Sequence, residues 1–253
     1  MLMHAQVLGK GKPFVILHGF LGSGDNWKTL ANDFAEAGFE INLLDQRNHG
    51  KSFHSEDFSY ELMAEDLNEY LIKNNLKDII LLGHSMGGKT AMQFAITHPE
   101  KIAKLIIADI GPKKYPQHHQ DILKALSSLD FKTIKSRSEA DSVLSKYIKD
   151  LGTRQFLLKS LYWKEKGKLA FRMNLPVLKK NIEEVGKPLK EGSHFNGATL
   201  FLRGENSGYI VDYDEVLIKK HFPKSQIKTV SKAGHWLHAE NPSEFYRYVM
   251  DFL

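Results

Sequence analysis

Short apolar runs alternate with amphipathic stretches along most of this chain, and that alternation sets the first expectation. "PFVILH" (13–18), "EINLLD" (40–45), "DIILLG" (78–83), "IAKLIIADIGP" (102–112), "ATLFLRG" (198–204) and "SQIKTV" (225–230) have the length and β-branched content of strands. Most are apolar without interruption, as a strand covered on both faces must be. Between them, "WKTLANDFAEAG" (27–38), "YELMAEDLNEYLIKNN" (60–75) and "MGGKTAMQFAITH" (86–98) carry helical periodicity. Leu62, Leu67, Leu71 and Ile72 illustrate the spacing, and Gly38 and Pro99 supply stop signals. Further helices are expected near Asp214 to His221 and Ser243 to Leu253. Strands alternating with helices predict a mostly parallel, twisted sheet flanked by helices.

The segment 113–190 breaks this rhythm. It holds helical patterns such as "HQDILKALSSLD" and "SEADSVLSKYIKDLG" but no long buried strand. Its charge differs too: from Pro112 to Gly192 there are 18 Lys and Arg against 9 Asp and Glu, whereas the remainder holds 17 against 21. The segment is therefore expected to be a helical cap (113–190) inserted into an α/β core formed by 1–112 and 191–253. It would lie over the carboxyl ends of the strands, where open α/β sheets bind ligands. Phe156, Tyr162, Trp163, Phe171 and Met173 are split between packing the cap and lining a pocket.

Composition narrows the classes. A 253-residue chain with 42% hydrophobic and 26% charged residues is that of an ordinary soluble globular protein. No run approaches the roughly 20 apolar residues of a membrane helix. The first 20 residues lack the pattern of a signal peptide. Without cysteine there is no disulfide, thiolate metal site or Cys nucleophile. A cytoplasmic protein that engages neither membrane nor nucleic acid is expected, because the basic residues show no stacking-aromatic pattern.

Candidate chemistry centres on "LLGHSMGGKTAMQFA" (81–95), where Ser85 is crowded by Gly83, Gly87 and Gly88 as a strand gives way to a helix. A serine hydroxyl becomes a nucleophile only when exposed, oriented and served by a base. A sharp strand-to-helix turn exposes it at the cost of crowding, which small residues two before and two after relieve. Gly83-His84-Ser85-Met86-Gly87 is the G-x-S-x-G elbow of that arrangement. The alternative is a glycine-rich turn with an incidental serine. The elbow leaves the Met86 N–H at a helix N-terminus, where partial positive charge favours an oxyanion. "LHGFLGSGDNW" (17–27) suits the loop supplying a second donor, the Phe20 N–H, with His18 and Gly19 shaping the turn. The glycines of that loop do not spell a dinucleotide fingerprint, and "HGKS" (49–52) reads as a turn rather than a phosphate loop.

The base is expected late in the chain. Among twelve histidines, His235 in "SKAGHWLHAENP" follows the last expected strand, and His238 is its nearest rival. The acid is less direct. Gly204-Glu205-Asn206-Ser207 places a serine where an aspartate is usual. Asp109 ends the preceding strand "LIIAD" and is favoured, with Glu205 and Asp212 as alternatives. Such a triad needs no metal or organic cofactor.

The elbow with "ILHGFLGS", "LLDQRNHGKS" and "AGHWLHAENP", in that order, resembles the α/β-hydrolase fold superfamily. "DQRNHGKS", "GHSMGGKTAM", "LRGENSGYI" and "GHWLHAENP" together resemble the YbfF-type carboxylesterases, over about 1–112 and 195–253. The resemblance implies that Asp109 supplies the acid missing after strand 198–204. It also implies hydrolysis of short- to medium-chain acyl esters, with acyl-CoA thioesters as the alternative suggested by the basic insertion. A ligand-binding protein that keeps the fold without the chemistry is the rival from another class.

Overall fold

The apolar runs become the strands of one twisted sheet in the computed structural model, which describes residues 1–117 and 119–253. His118, one of the twelve histidines and part of the expected insertion, lies outside the described residues. The strands are β1 (Ala5–Leu8), β2 (Lys12–Leu17), β3 (Phe39–Leu44), β4 (Ile79–His84), β5 (Ile102–Ala108), β6 (Leu161–Glu165), β7 (Lys168–Phe171), β8 (Thr199–Gly204) and β9 (Ser225–Val230). The main sheet runs in the order β1-β3-β2-β4-β5-β8-β9, with β1 antiparallel to β3 and the other pairings parallel.

Side chains alternate across the sheet because successive residues of a strand point to opposite faces. In β2, Phe14 and Ile16 join one apolar cluster, and Val15 and Leu17 join another. The first cluster packs under α1 (Lys28–Glu36) and α10 (Pro242–Phe252) through Leu30, Phe34, Phe245 and Val249. The second packs under α2 (Tyr60–Lys73), α3 (Met86–Thr97) and α9 (Asp214–His221) through Leu67, Leu71, Met92 and Ile218. Coverage on both faces is what the near-continuous apolar strands demand.

Three differences from the sequence expectation have simple causes. Strand β1, only "AQVL" and half-buried, carries too weak a pattern to register, yet pairs as an antiparallel edge. The expected strand 102–112 stops at Ala108, because Asp109 turns into the left-handed region at φ 50°. The segment between β5 and β8 holds helices α4 (Gln120–Ser127), α5 (Arg137–Leu144), α6 (Leu151–Leu158), α7 (Leu175–Lys180) and α8 (Ile182–Val185), as expected. It also holds an antiparallel hairpin, β6-β7, turning at Gly167, whose exposed polar strands give no buried run. Leu123, Leu126, Leu157, Met173 and Leu178 of this segment share a cluster with Phe20 and Met86 at the ends of β2 and β4. The segment thus packs over the carboxyl ends of the strands.

Its two connections to the core run side by side. Leu189 N–H donates to Pro112 O at 2.9 Å and Tyr115 N–H donates to Gly186 O at 2.8 Å. Both crossings are tied to α3 by Lys89, a buried lysine whose Nζ donates to Lys113 O at 2.6 Å and Lys187 O at 2.8 Å. The same amine lies 5.3 Å from the centre of the Tyr115 ring. Burial, with neighbouring Lys113 adding repulsion, lowers its pKa from 10.5 to about 7.

An unfolded lysine holds its proton to about pH 10.4. Between pH 7 and 10 the unfolded chain therefore binds more protons at this position, and its contribution to stability rises with pH. Urea unfolding at several pH values is expected to show the stability of the native chain, relative to Lys89→Met, increasing from pH 7 to pH 10. A difference that stays flat contradicts this account of the clamp.

Candidate active site

Strand β4 passes into α3 through one residue, Ser85, held at φ 52°, ψ −118°. A non-glycine residue there carries strain of about 1–3 kcal/mol, sustained only where the surroundings over-determine it. A Cβ on Gly83 would lie 2.2 Å from Gly87 O, and one on Gly87 would lie 2.4 Å from Leu17 O. The first turn of α3 therefore sits directly against β4 and the end of β2, which only glycine permits. Ser85 N–H donates to Ala108 O at 3.0 Å, tying the elbow to β5. Among the described residues the N–H groups of Met86 and Phe20 donate to no protein acceptor.

Asp109, fully buried, stands one residue beyond that carbonyl. Its N–H donates to Leu202 O at 2.8 Å, and its Oδ1 accepts from Gly204 N–H at 3.0 Å. Its Oδ2 accepts from His235 Nδ1–H at 2.8 Å and from the Ser207 hydroxyl. The carboxylate is satisfied by three donors, and one of them orients His235. Ser207, the residue standing where an aspartate was expected, binds the carboxylate that takes its place. Glu205 Oε2 instead accepts from Lys232 N–H at 2.7 Å, and Asp212 pairs with Arg203 at 2.6 Å in solvent. The structure brings Asp109 to His235 and leaves both alternatives elsewhere.

His235 is fixed on further sides. The Tyr209 ring stacks on it at 3.9 Å between centroids and 14° between planes. His84 Nε2–H donates to the His235 carbonyl at 2.8 Å. Burial and the neighbouring His235 and His238 hold the His84 pKa well below 6.5, so it is a neutral donor. His238, the rival base, stacks on Trp27 at 4.0 Å, away from the carboxylate, and burial lowers its pKa to about 3. No hydrogen bond joins Ser85 Oγ to His235 among the described residues. Catalytic hydrogen bonds are often loose without substrate and tighten in the complex.

The loop carrying Phe20 rests on two more neutral histidines. His18 Nδ1–H donates to Gly19 O at 2.8 Å, and its Nε2 accepts from Gln46 N–H at 3.0 Å. His49 Nδ1–H donates to Arg47 O at 2.9 Å, and its Nε2 accepts from Leu21 N–H at 3.2 Å. Burial dominates in lowering their pKa values, to about 4 for His18 and about 3 for His49. His18 thus shapes the turn, as its position suggested. His49 lies in a turn, also as expected, but that turn buttresses the Phe20 loop. A buried Arg47–Asp66 pair at 2.6 Å anchors the turn to α2. Sequence reasoning missed Tyr209, Ser207, His84 and His49 as parts of the site. The one available signal was a run of polar residues, "DQRNH", following directly on a buried strand.

Ser85 and His235 both line a pocket of about 200 Å³, walled by Phe20 and Leu21 and by Ile122, Phe156 and Leu157 of the inserted segment. Its surface is mostly apolar, suited to a hydrophobic ligand with a few fixed polar groups. Among the described residues no cluster of three His, Asp or Glu side chains is arranged to hold a metal ion. No helix among them is long and apolar enough to cross a membrane.

Comparisons with known proteins agree with this architecture. Residues 12–242 match the family model for the alpha/beta hydrolase fold. The chain is 37% identical over 246 residues to the sn-1-specific diacylglycerol lipase ABHD11 of Mus musculus, covering 94% of this chain and 80% of that protein. It is 31% identical over 252 residues to esterase YbfF of Escherichia coli K12, covering 98% of this chain and 96% of that one. A solved structure described as a marine microorganism esterase superposes with a TM-score of 0.96 at 43% identity, with complete coverage of both chains. With the elbow, the sheet order and these matches together, the chain belongs to the α/β-hydrolase fold family.

Proposed function

We propose that this protein is a serine carboxylesterase that hydrolyses short- to medium-chain acyl esters through an acyl-enzyme. The observation that carries the reading is the 2.8 Å contact between His235 Nδ1 and the buried carboxylate of Asp109, with His235 and Ser85 lining one pocket. Relatives whose names denote an esterase and a lipase over nearly the whole chain support the same class.

In this mechanism His235 Nε2 takes the proton of Ser85 Oγ, which attacks the ester carbonyl carbon. The resulting oxyanion accepts from the Phe20 and Met86 N–H groups, the latter at the positive end of α3. Asp109 holds the His235 tautomer with Nε2 free to accept, and offsets the charge of the imidazolium. The stacked Tyr209 ring places π-electron density against the same cation. The ester C–O bond breaks as His235 passes the proton to the departing alkoxide. Water then attacks the acyl carbon with His235 as base. The acyl–Oγ bond breaks, and the carboxylic acid leaves as Ser85 recovers its proton.

Turnover of p-nitrophenyl acetate tests the assignment of each role. Ser85→Ala is expected to abolish it, and Asp109→Asn to lower kcat on the order of 10³–10⁴-fold. Glu205→Gln and Asp212→Asn should leave it within about twofold. A large loss in either, with Asp109→Asn near the native rate, contradicts the proposal.

Ser207→Ala removes one of three donors to the carboxylate. It is expected to lower kcat by no more than about tenfold, since Gly204 N–H and His235 remain. It should also cost about 1–3 kcal/mol of stability in urea unfolding, as for a hydrogen bond to a buried charged group. No change in unfolding contradicts the role assigned to that hydroxyl.

A further inference from the structure

Two spaces meet at Ser85, and they differ tenfold in size. The larger, about 200 Å³, includes His235 in its wall. The smaller, about 20 Å³, is bounded by Met86, Ile110, Tyr115, Ile182 and Val185 and reaches the exposed Pro116 and Gln117, and His235 does not line it. Tyr209 lines both and forms part of the partition between them.

Resting on the acyl-enzyme reading above, we infer that the small space takes the acyl chain and the large one the alcohol. Ile182 and Val185 then hold the enzyme to the short end of its acyl range and favour bulky apolar alcohols. The assignment follows from the proton. The departing oxygen must receive it from His235 Nε2, so the alcohol lies on the side of Ser85 that His235 lines. The carbonyl oxygen is committed to the Phe20 and Met86 N–H groups. The remaining substituent of the tetrahedral carbon, the acyl chain, points to the other side.

Size then sets the limit. The small space, about 20 Å³ against about 200 Å³, leaves far less room for an acyl chain than the larger one leaves for the alcohol. Its walls are fixed by hydrogen bonds. Tyr60 Oη–H donates to Val185 O at 2.7 Å, and Tyr115 Oη accepts from Gly111 N–H at 2.8 Å while donating to Tyr209 O at 2.7 Å. The pairing of Tyr115 with Gly186 holds the two crossings of the inserted segment together at this point. With the backbone held at Val185 and Tyr115, what this space admits depends on the side chains of Ile182 and Val185, whereas the larger space is bounded by side chains of α4 and α6.

The test uses two pairs of esters on the native chain. Benzyl acetate and methyl octanoate place the bulk on opposite sides of the carbonyl. 1-Naphthyl acetate and 1-naphthyl butyrate vary the acyl group with one leaving group. Benzyl acetate is expected to show at least about tenfold higher kcat/KM than methyl octanoate, and naphthyl acetate at least about tenfold higher than naphthyl butyrate, the range a few methylenes command in a tight apolar pocket. Ile182→Ala should narrow the naphthyl ratio at least fivefold, with Val185→Ala as the second variant where the first does not fold. A preference for methyl octanoate, or a naphthyl ratio unchanged in both variants, overturns the assignment of the two spaces while leaving an esterase. A folded native chain that cleaves none of these esters overturns the esterase reading and this inference with it.

Discussion

The whole arrangement depends on how closely the first turn of α3 approaches the ends of β2 and β4. That approach is possible because Gly83 and Gly87 carry no Cβ, each of which would lie under 2.5 Å from a backbone oxygen. The constraint forces Ser85 into a conformation that L-residues avoid, and the sheet holds it there through the Ala108 carbonyl. Relaxing the turn would withdraw the hydroxyl from the pocket and rotate the Met86 amide. The strain is a local cost spread over a core with two well-covered faces.

Around this turn, charge is kept where the chemistry uses it. His18, His49, His84 and His238 are buried and held neutral at ordinary pH, each with a pKa well below that of a free imidazole. As neutral rings, His18 and His49 each donate at Nδ1 and accept at Nε2, which braces the Phe20 loop from both sides. A protonated ring could not accept from the Gln46 or Leu21 N–H. His235 differs from these four in touching a buried carboxylate. Lys89 applies related physics at the root of the inserted segment, where a lone buried amine satisfies two carbonyls and ties the segment to the helix that begins at Ser85.

Legibility in the sequence followed how local each feature is. The elbow is five consecutive residues, and the strands of the parallel sheet are short apolar runs, so both could be read directly. The loop carrying His235 follows its strand at close range, and its place beside the elbow was legible for the same reason. The acid was left among Asp109, Glu205 and Asp212, because the choice depends on which side chain the twist of β5 and β8 carries to the histidine loop, roughly 126 positions apart in sequence. Ser207 was noticed only as an anomaly, and its purpose became visible when its hydroxyl was seen on Asp109. Tyr209, His84 and His49 give no periodic signal. Their roles rest on ring stacking and on single hydrogen bonds between distant segments. The hairpin β6-β7 and the edge strand β1 were missed because neither buries a continuous apolar face.

Reaction of the native chain with a fluorophosphonate asks whether Ser85 is an activated nucleophile. Intact mass and peptide mapping should show one adduct per chain, located on Ser85, lost in Ser85→Ala and formed much more slowly in His235→Ala. A folded native chain that gains no adduct, or gains one on another residue, would contradict the account.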